Sequence, residues 1–166
     1  MGCEKYKLMN MKLTEHFTLS EFERSETAAK CGIDNRVPSH MIPALQNLCK
    51  QVLEPLRGFV GRPIVITSGY RCPALNVKVG GVISSQHTMG LAADLCLPKT
   101  CYTDWDDGRA HTDMEEAERW VEFIRQHTCF DQCILETHNG RDFWLHVSCK
   151  VNAALNRHEV KRMTMK

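Results

Sequence analysis

Hydrophobic residues along this chain change period several times, and each change marks an element. Ile42, Leu45, Leu48, Cys49, Val52, Leu53 and Leu56 recur at three and four residues, which gathers them on one helical face. Ser39 stands at the capping position of that helix, and Gly58 and Gly61 mark its stop and the turn beyond. Ser20 and Glu23 have the spacing of a capping box. They predict a short helix from Ser20 to about Lys30, ended by Gly32. Thr112 and Glu115 repeat the box and open a further helix with Met114, Ala117, Val121 and Ile124 inward.

Other stretches lack that period. Residues 63–67 read as a short buried strand ending at Ser68-Gly69, and residues 91–97 as a second. Residues 132–136 and 143–147 are two further strands, joined by a loop holding Asn139-Gly140, a hairpin signal. Between them, residues 70–90 are rich in Gly, Ser, Pro and Asn. A loop that long inside a compact domain is usually functional. Residues 98–108 are polar and aromatic and read as an exposed excursion. Helices mixed with short strands and a hairpin predict an α+β domain.

A length of 166 residues fits a single core. The expected organisation is a loose leader over 1–12, one domain over 13–160 and a tail over 161–166. Hydrophobic residues at 43% and charged residues at 25% are ordinary for a soluble globular protein. A net charge of +1 gives no basis for nucleic-acid binding, and the basic stretch 157–162, interrupted by Glu159, reads as a solvated end. No apolar run is long enough to span a bilayer, and the first residues lack the apolar core of a secretory signal. Synthesis in the cytoplasm and a monomeric state are therefore expected. The nine cysteines form no CxxC pair, which favours reduced, buried thiols. Cys96, Cys133 and Cys149, on strands, are expected to be buried small hydrophobes.

The chemistry concentrates in residues 85–94 and 144–148. His87 and Asp94 lie seven residues apart, which suits a loop that delivers the histidine, a tight turn at Gly90 and a strand that delivers the aspartate. Ala92 and Ala93 are small enough for close approach. Strand alternation places Trp144, His146 and Ser148 on one face and turns Phe143, Leu145 and Val147 to the core. Two imidazoles and one carboxylate suit a catalytic zinc ion, which takes three protein ligands and keeps one position for water. Spacing alone equally allows a surface histidine, a turn-capping aspartate and a satisfied sheet histidine.

The run Ser85-Gln86-His87, then Gly90, Ala92-Ala93-Asp94 and Trp144-Leu145-His146-Val147-Ser148, resembles the zinc D-Ala-D-Ala carboxypeptidase and endopeptidase family, peptidase family M15, in its small phage and bacterial branch. Phe17-Thr18-Leu19-Ser20-Glu21-Phe22, Ser68-Gly69-Tyr70-Arg71-Cys72-Pro73, Asp131-Gln132 and Asn156-Arg157 also resemble that branch. The likeness covers roughly residues 13 to 160. It implies a small antiparallel sheet with helices on one side and a zinc cleft at the sheet, a D-Ala-D-Ala metallopeptidase or hedgehog-like fold. It implies that His87, Asp94 and His146 hold one zinc ion. It further implies that Arg71, Ser85 and Trp144 meet the substrate, a peptidoglycan stem peptide or cross-link. A phage endolysin that reaches the wall after release fits the expected place of synthesis.

The general base is the open question. Relatives carry a glutamate three residues before the final histidine, where this chain has Phe143. Asp142 is one residue further back, ~13 Å along a straight strand from His146. Glu136 matches a glutamate common in the branch. A two-residue Asn139-Gly140 turn would pair Glu136 with Phe143, facing away from His146; one more residue and a bulge would bring it to His146's face. Glu136 is the preferred base and Asp142 the alternative. The substitution at Phe143 also keeps a second class open: a non-catalytic wall-binding or virion module that retains the metal.

Overall fold

The computed structural model describes residues 11–100 and 109–164. Five strands build the main sheet: β1 (Ile66–Ser68), β2 (Ala92–Cys96), β5 (Gln132–Thr137), β6 (Phe143–Ser148) and β7 (Glu159–Thr164). Their spatial order is β1-β2-β6-β5-β7. A separate ribbon pairs β3 (Lys99–Thr100) with β4 (His111–Thr112). Among the described residues six α-helices complete the α+β fold: α1 (Leu19–Glu23), α2 (Glu26–Cys31), α3 (Ile42–Leu48), α4 (Glu54–Val60), α5 (Pro73–Lys78) and α6 (Met114–His127).

The sheet is mixed rather than antiparallel throughout, because β7 runs parallel to β5. Ser148 at the end of β6 lies opposite Gln132 at the start of β5. A strand begun there on the far side of β5 must run in the direction of β5. Residues 161–164, expected in a C-terminal tail, belong to this strand. Val160 packs against the core and Arg162 binds Glu118 of α6. At the other end, the expected leader is partly ordered: Lys12 bridges to Thr18, and Leu19 N–H donates to the Met11 carbonyl. Residues 1–10 lie outside the described part.

Local chemistry moves several boundaries. The first predicted helix is two helices. Glu21, not Glu23, accepts the backbone N–H and hydroxyl of Thr18. The chain is extended at Arg24, and Ser25 caps α2 by accepting Ala28 N–H. Glu23 instead accepts Val37 N–H at 2.9 Å. Ser39 makes no side-chain cap and begins a 3₁₀ turn ahead of α3. Between α3 and α4 lies a π-turn, Cys49–Leu53, in which Glu54 N–H reaches the Cys49 carbonyl. Pro55 lacks the N–H that would close the next α-turn, and the wider turn accommodates its ring. The buried stripe survives: Leu45, Leu48, Cys49, Val52, Leu53 and Leu56 are all fully covered. Asp113, not Thr112, caps α6 by accepting Glu116 N–H. The long loop 70–90 contains α5 and a 3₁₀ turn, Gln86–Met89.

Sheet alternation then sorts the faces. Ala93, Leu95, Cys133, Leu135, Leu145 and Val147 join the helices' apolar residues in one buried cluster. The opposite face carries Asp94, Glu136, Trp144 and His146. Cys133 and Cys149 are buried as expected, whereas Cys96, two residues beyond Asp94 on the open face, is exposed. The cysteines of the described part are all free.

Candidate metal centre

Three elements deliver the candidate ligands. His87 rides on the 3₁₀ turn, which Gly90 ends in the left-handed region at φ 68° so that the chain can enter β2. Asp94 sits mid-strand in β2, directly opposite His146 of β6. All three side chains are buried. His87 Nε2 lies 3.1 Å from Asp94 Oδ1 and 3.2 Å from His146 Nδ1; His146 Nδ1 lies 2.9 Å from the same Oδ1. His87 Nδ1–H donates to the Gly69 carbonyl at 2.6 Å. A carbonyl can only accept, so that tautomer leaves the Nε2 lone pair facing the group. Burial opposes ionisation of Asp94, but His87 and His146 hold its carboxyl well below the usual carboxylate range.

This donor set fits a metal. Zinc bonded at ~2.0–2.1 Å in tetrahedral geometry spaces its ligand atoms about 3.3 Å apart. The triangle seen here is only a few tenths of an ångström tighter. Among the described residues this is the one group of three or more such side chains whose ligand atoms converge.

The support around the triangle uses residues from the first part of the chain. Arg71 Nη2 donates to Asp94 Oδ2 at 2.6 Å while its Nε donates to Ser68 Oγ at 2.8 Å. Asn35, buried, pins the loop that carries Arg71. Its amide donates to the carbonyls of Glu23 and Tyr70, and its oxygen accepts Cys72 N–H. Gly69 passes so close to α1 that a Cβ there would meet Phe22 Cα at 2.5 Å. Gly69 falls in the Ser68–Pro73 run that resembles the family, but no local pattern gives its role or that of Asn35; their signal is contact across the fold. Gly69→Ala is expected to push the loop off α1, carry the His87-binding carbonyl with it and weaken metal affinity about tenfold. Competition with a zinc chelator measures this.

Asp94 also lines an open cleft of about 700 Å³ with Arg71, Glu136, His138, Trp144 and residues 24–27. The five-residue connection 138–142 decides where Glu136 faces. Thr137 Oγ1 accepts the N–H groups of Asn139 and Gly140, and Asn139 Oδ1 accepts those of Arg141 and Asp142. Glu136 is thereby opposite Trp144, on the face of His146, in a ladder without a bulge. It is half-buried. Burial pushes its carboxyl above the usual glutamate value; the charge of Asp94 adds to this, against the opposing pull of His146, His87 and Arg71.

The other expected site residues divide. Trp144 lines the cleft, its ring 5.1 Å from that of His138. His138, exposed at the start of the hairpin loop, thus joins the cleft wall. Ser85 is half-buried at the start of the 3₁₀ turn and does not line the cleft. Asp142 is not brought to the site. Its carboxylate binds Lys99 Nζ at 3.3 Å and Asn139 Nδ2 at 2.9 Å on the hairpin loop.

Hydrolysis of an amide at neutral pH needs a polarised carbonyl, an activated water and a proton for the departing amine. A carboxylate–imidazole cation site flanked by a second, half-buried carboxylate meets those needs in metallopeptidases. The sequence comparison leads to the same class: the family model described as Peptidase M15 matches residues 15–148. The chain belongs to that family. No curated protein matches the chain.

Proposed function

We propose that the protein is a zinc-dependent peptidase that hydrolyses amide bonds in peptidoglycan stem peptides or cross-links, as a D-Ala-type carboxypeptidase or endopeptidase on a hedgehog-like fold. The observation that carries this reading is the convergence of His87, Asp94 and His146 within hydrogen-bond distance on the open face of the sheet, beside Glu136. A zinc ion bound by these three residues supplies Lewis-acid polarisation of the scissile carbonyl and a water of lowered pKa. Glu136 accepts the proton of the attacking water and returns it to the leaving amine. Its half-buried setting raises the carboxyl above the usual glutamate value, which favours holding and returning a proton. Arg71 commits two of its five N–H groups to Ser68 and Asp94. The remaining donors can orient a substrate carbonyl or carboxylate. Trp144 gives the peptide an apolar wall.

The proposed partner is the wall peptide alone, met by a monomer, with no role for nucleic acid. No helix among the described residues is long and apolar enough to cross a membrane. An endolysin made in the cytoplasm and released to the wall suits this reading. The test is amine release from purified peptidoglycan, lost on chelation and restored by zinc. Phe143, standing where relatives have glutamate, favours a second reading, a metal-retaining module that binds the wall without cutting it. Binding without amine release by zinc-loaded protein would select that reading.

A further inference from the structure

A carboxylate removed from water is costly unless its oxygens are fully engaged. Asp131, just ahead of β5, has no solvent exposure, and its oxygens are crowded with donors. Arg157 donates from its backbone N–H at 2.8 Å and from Nε at 3.0 Å, and Lys150 Nζ lies 3.3 Å away. Gln86 Nε2 donates to the other oxygen at 2.9 Å. Burial opposes ionisation, yet the bonds from Arg157, Gln86 and Lys150 hold the carboxyl below the usual range. The backbone of Asp131 is equally committed: its N–H donates to the Ser148 carbonyl at 2.7 Å, and its carbonyl accepts Glu159 N–H at 2.9 Å.

Two of these links lead to the candidate metal ligands. Gln86 immediately precedes His87, and Ser148 follows His146 by two residues on the same strand. The turn Gln86–Met89 is only four residues long, too short to fix its own position. The Gln86 amide oxygen is buried without a partner among the described residues. The side chain is therefore placed by its bond to Asp131 rather than by a satisfied site of its own.

We propose that Asp131 is a positioning residue for the metal centre: acting through Gln86 on one side and the Ser148 backbone on the other, it sets the separation of the two imidazoles. This rests on the metal-site reading above. The strand end alone would fix His146, whereas the turn that carries His87 is tied to the neighbouring loop by single bonds, Arg71 N–H to the His87 carbonyl at 3.2 Å and the His87 ring to the Gly69 carbonyl, rather than by a ladder. Asp131 joins the two as a strut.

The discriminating variant is Gln86→Leu, which cuts the link to His87 and leaves Asp131 with Arg157 and Lys150. Lys150→Met is the control that weakens the same buried carboxylate without touching the link. Zinc affinity by chelator competition is expected to fall about 10- to 100-fold in Gln86→Leu and to stay within twofold of wild type in Lys150→Met. Both variants should melt as cooperatively as wild type. Imidazole nitrogen NMR of the metal-free protein gives a second readout. Wild-type His87 should show a single Nδ1–H tautomer, and Gln86→Leu a mixture. Equal zinc affinity and an unchanged His87 signal in Gln86→Leu would overturn the proposal. If wild type itself bound no zinc, the metal reading would fall separately, and the tautomer signal would still decide whether Asp131 positions His87.

Discussion

Glu136→Gln is expected to lower kcat on a stem-peptide substrate by about a thousandfold while the protein still binds one zinc ion. A general acid–base group contributes roughly 10²–10⁴ in rate. The amide keeps the size of the carboxylate and takes away only its ability to accept a proton. Metal content should hold, because Glu136 lies on β5 outside the His87–Asp94–His146 triangle. The pH profile gives an independent check. The Glu136 carboxyl is raised by burial, so the acid limb of kcat/KM should lie above the ordinary glutamate value of ~4.3. Activity should rise with pH through that limb as the base ionises, and Glu136→Gln should flatten it. Asp142→Asn should leave kcat within about twofold of wild type, since that carboxylate serves Lys99 and Asn139. Wild-type turnover in Glu136→Gln with loss in Asp142→Asn would reverse the assignment.

What the sequence reveals and what it hides divide on physical grounds. The stripe from Leu45 to Leu56 and the alternation in β6 follow from local period, and both appear in the structure where the pattern places them. The three candidate ligands are legible through the resemblance of residues 85–94 and 144–148 to the family, since spacing alone equally allows a surface histidine, a capping aspartate and a sheet histidine. The face of Glu136 is not legible. It depends on how many residues the hairpin loop takes up, and the side chains of Thr137 and Asn139 decide that by capping a longer loop than Asn139-Gly140 alone suggests. β7 is hidden for a different reason. Charge composition reports on side chains, whereas an edge strand is held by its backbone. Arg157 and Arg162 find Asp131 and Glu118 only once the sheet has formed. Asp131, Gln86 and Gly69 stand in runs that resemble the family, but their roles are hidden for the same cause. Their partners lie 45, 45 and 18 residues away.

Asp94→Asn is expected to abolish both zinc binding and hydrolysis, and the reason lies in how many neighbours share that one carboxylate. Oδ1 lies 2.9 and 3.1 Å from the two imidazoles, and Oδ2 accepts Arg71. An amide must turn its NH₂ toward one side or the other. Facing Arg71, it sets donor against donor; facing the imidazoles, it leaves no anionic ligand for the cation. Zinc affinity should fall more than about 100-fold, beyond the range for supporting residues. Thermal melts report this without any substrate. At a zinc concentration of ~100 Kd, wild type should gain about 2.7 kcal/mol, and Asp94→Asn should gain nothing. Metal-free melts separate the carboxylate's own part by their pH dependence. The folded-state carboxyl is held below its unfolded value by His87 and His146. The stability it contributes is therefore complete above ~3.9 and lost as the pH falls toward the folded value. Metal-free wild type should accordingly be more stable than Asp94→Asn at pH 6, with the gap closing on acidification below ~3.9. A variant that takes up zinc as wild type does would place the cation elsewhere and remove Asp94 from the ligand set.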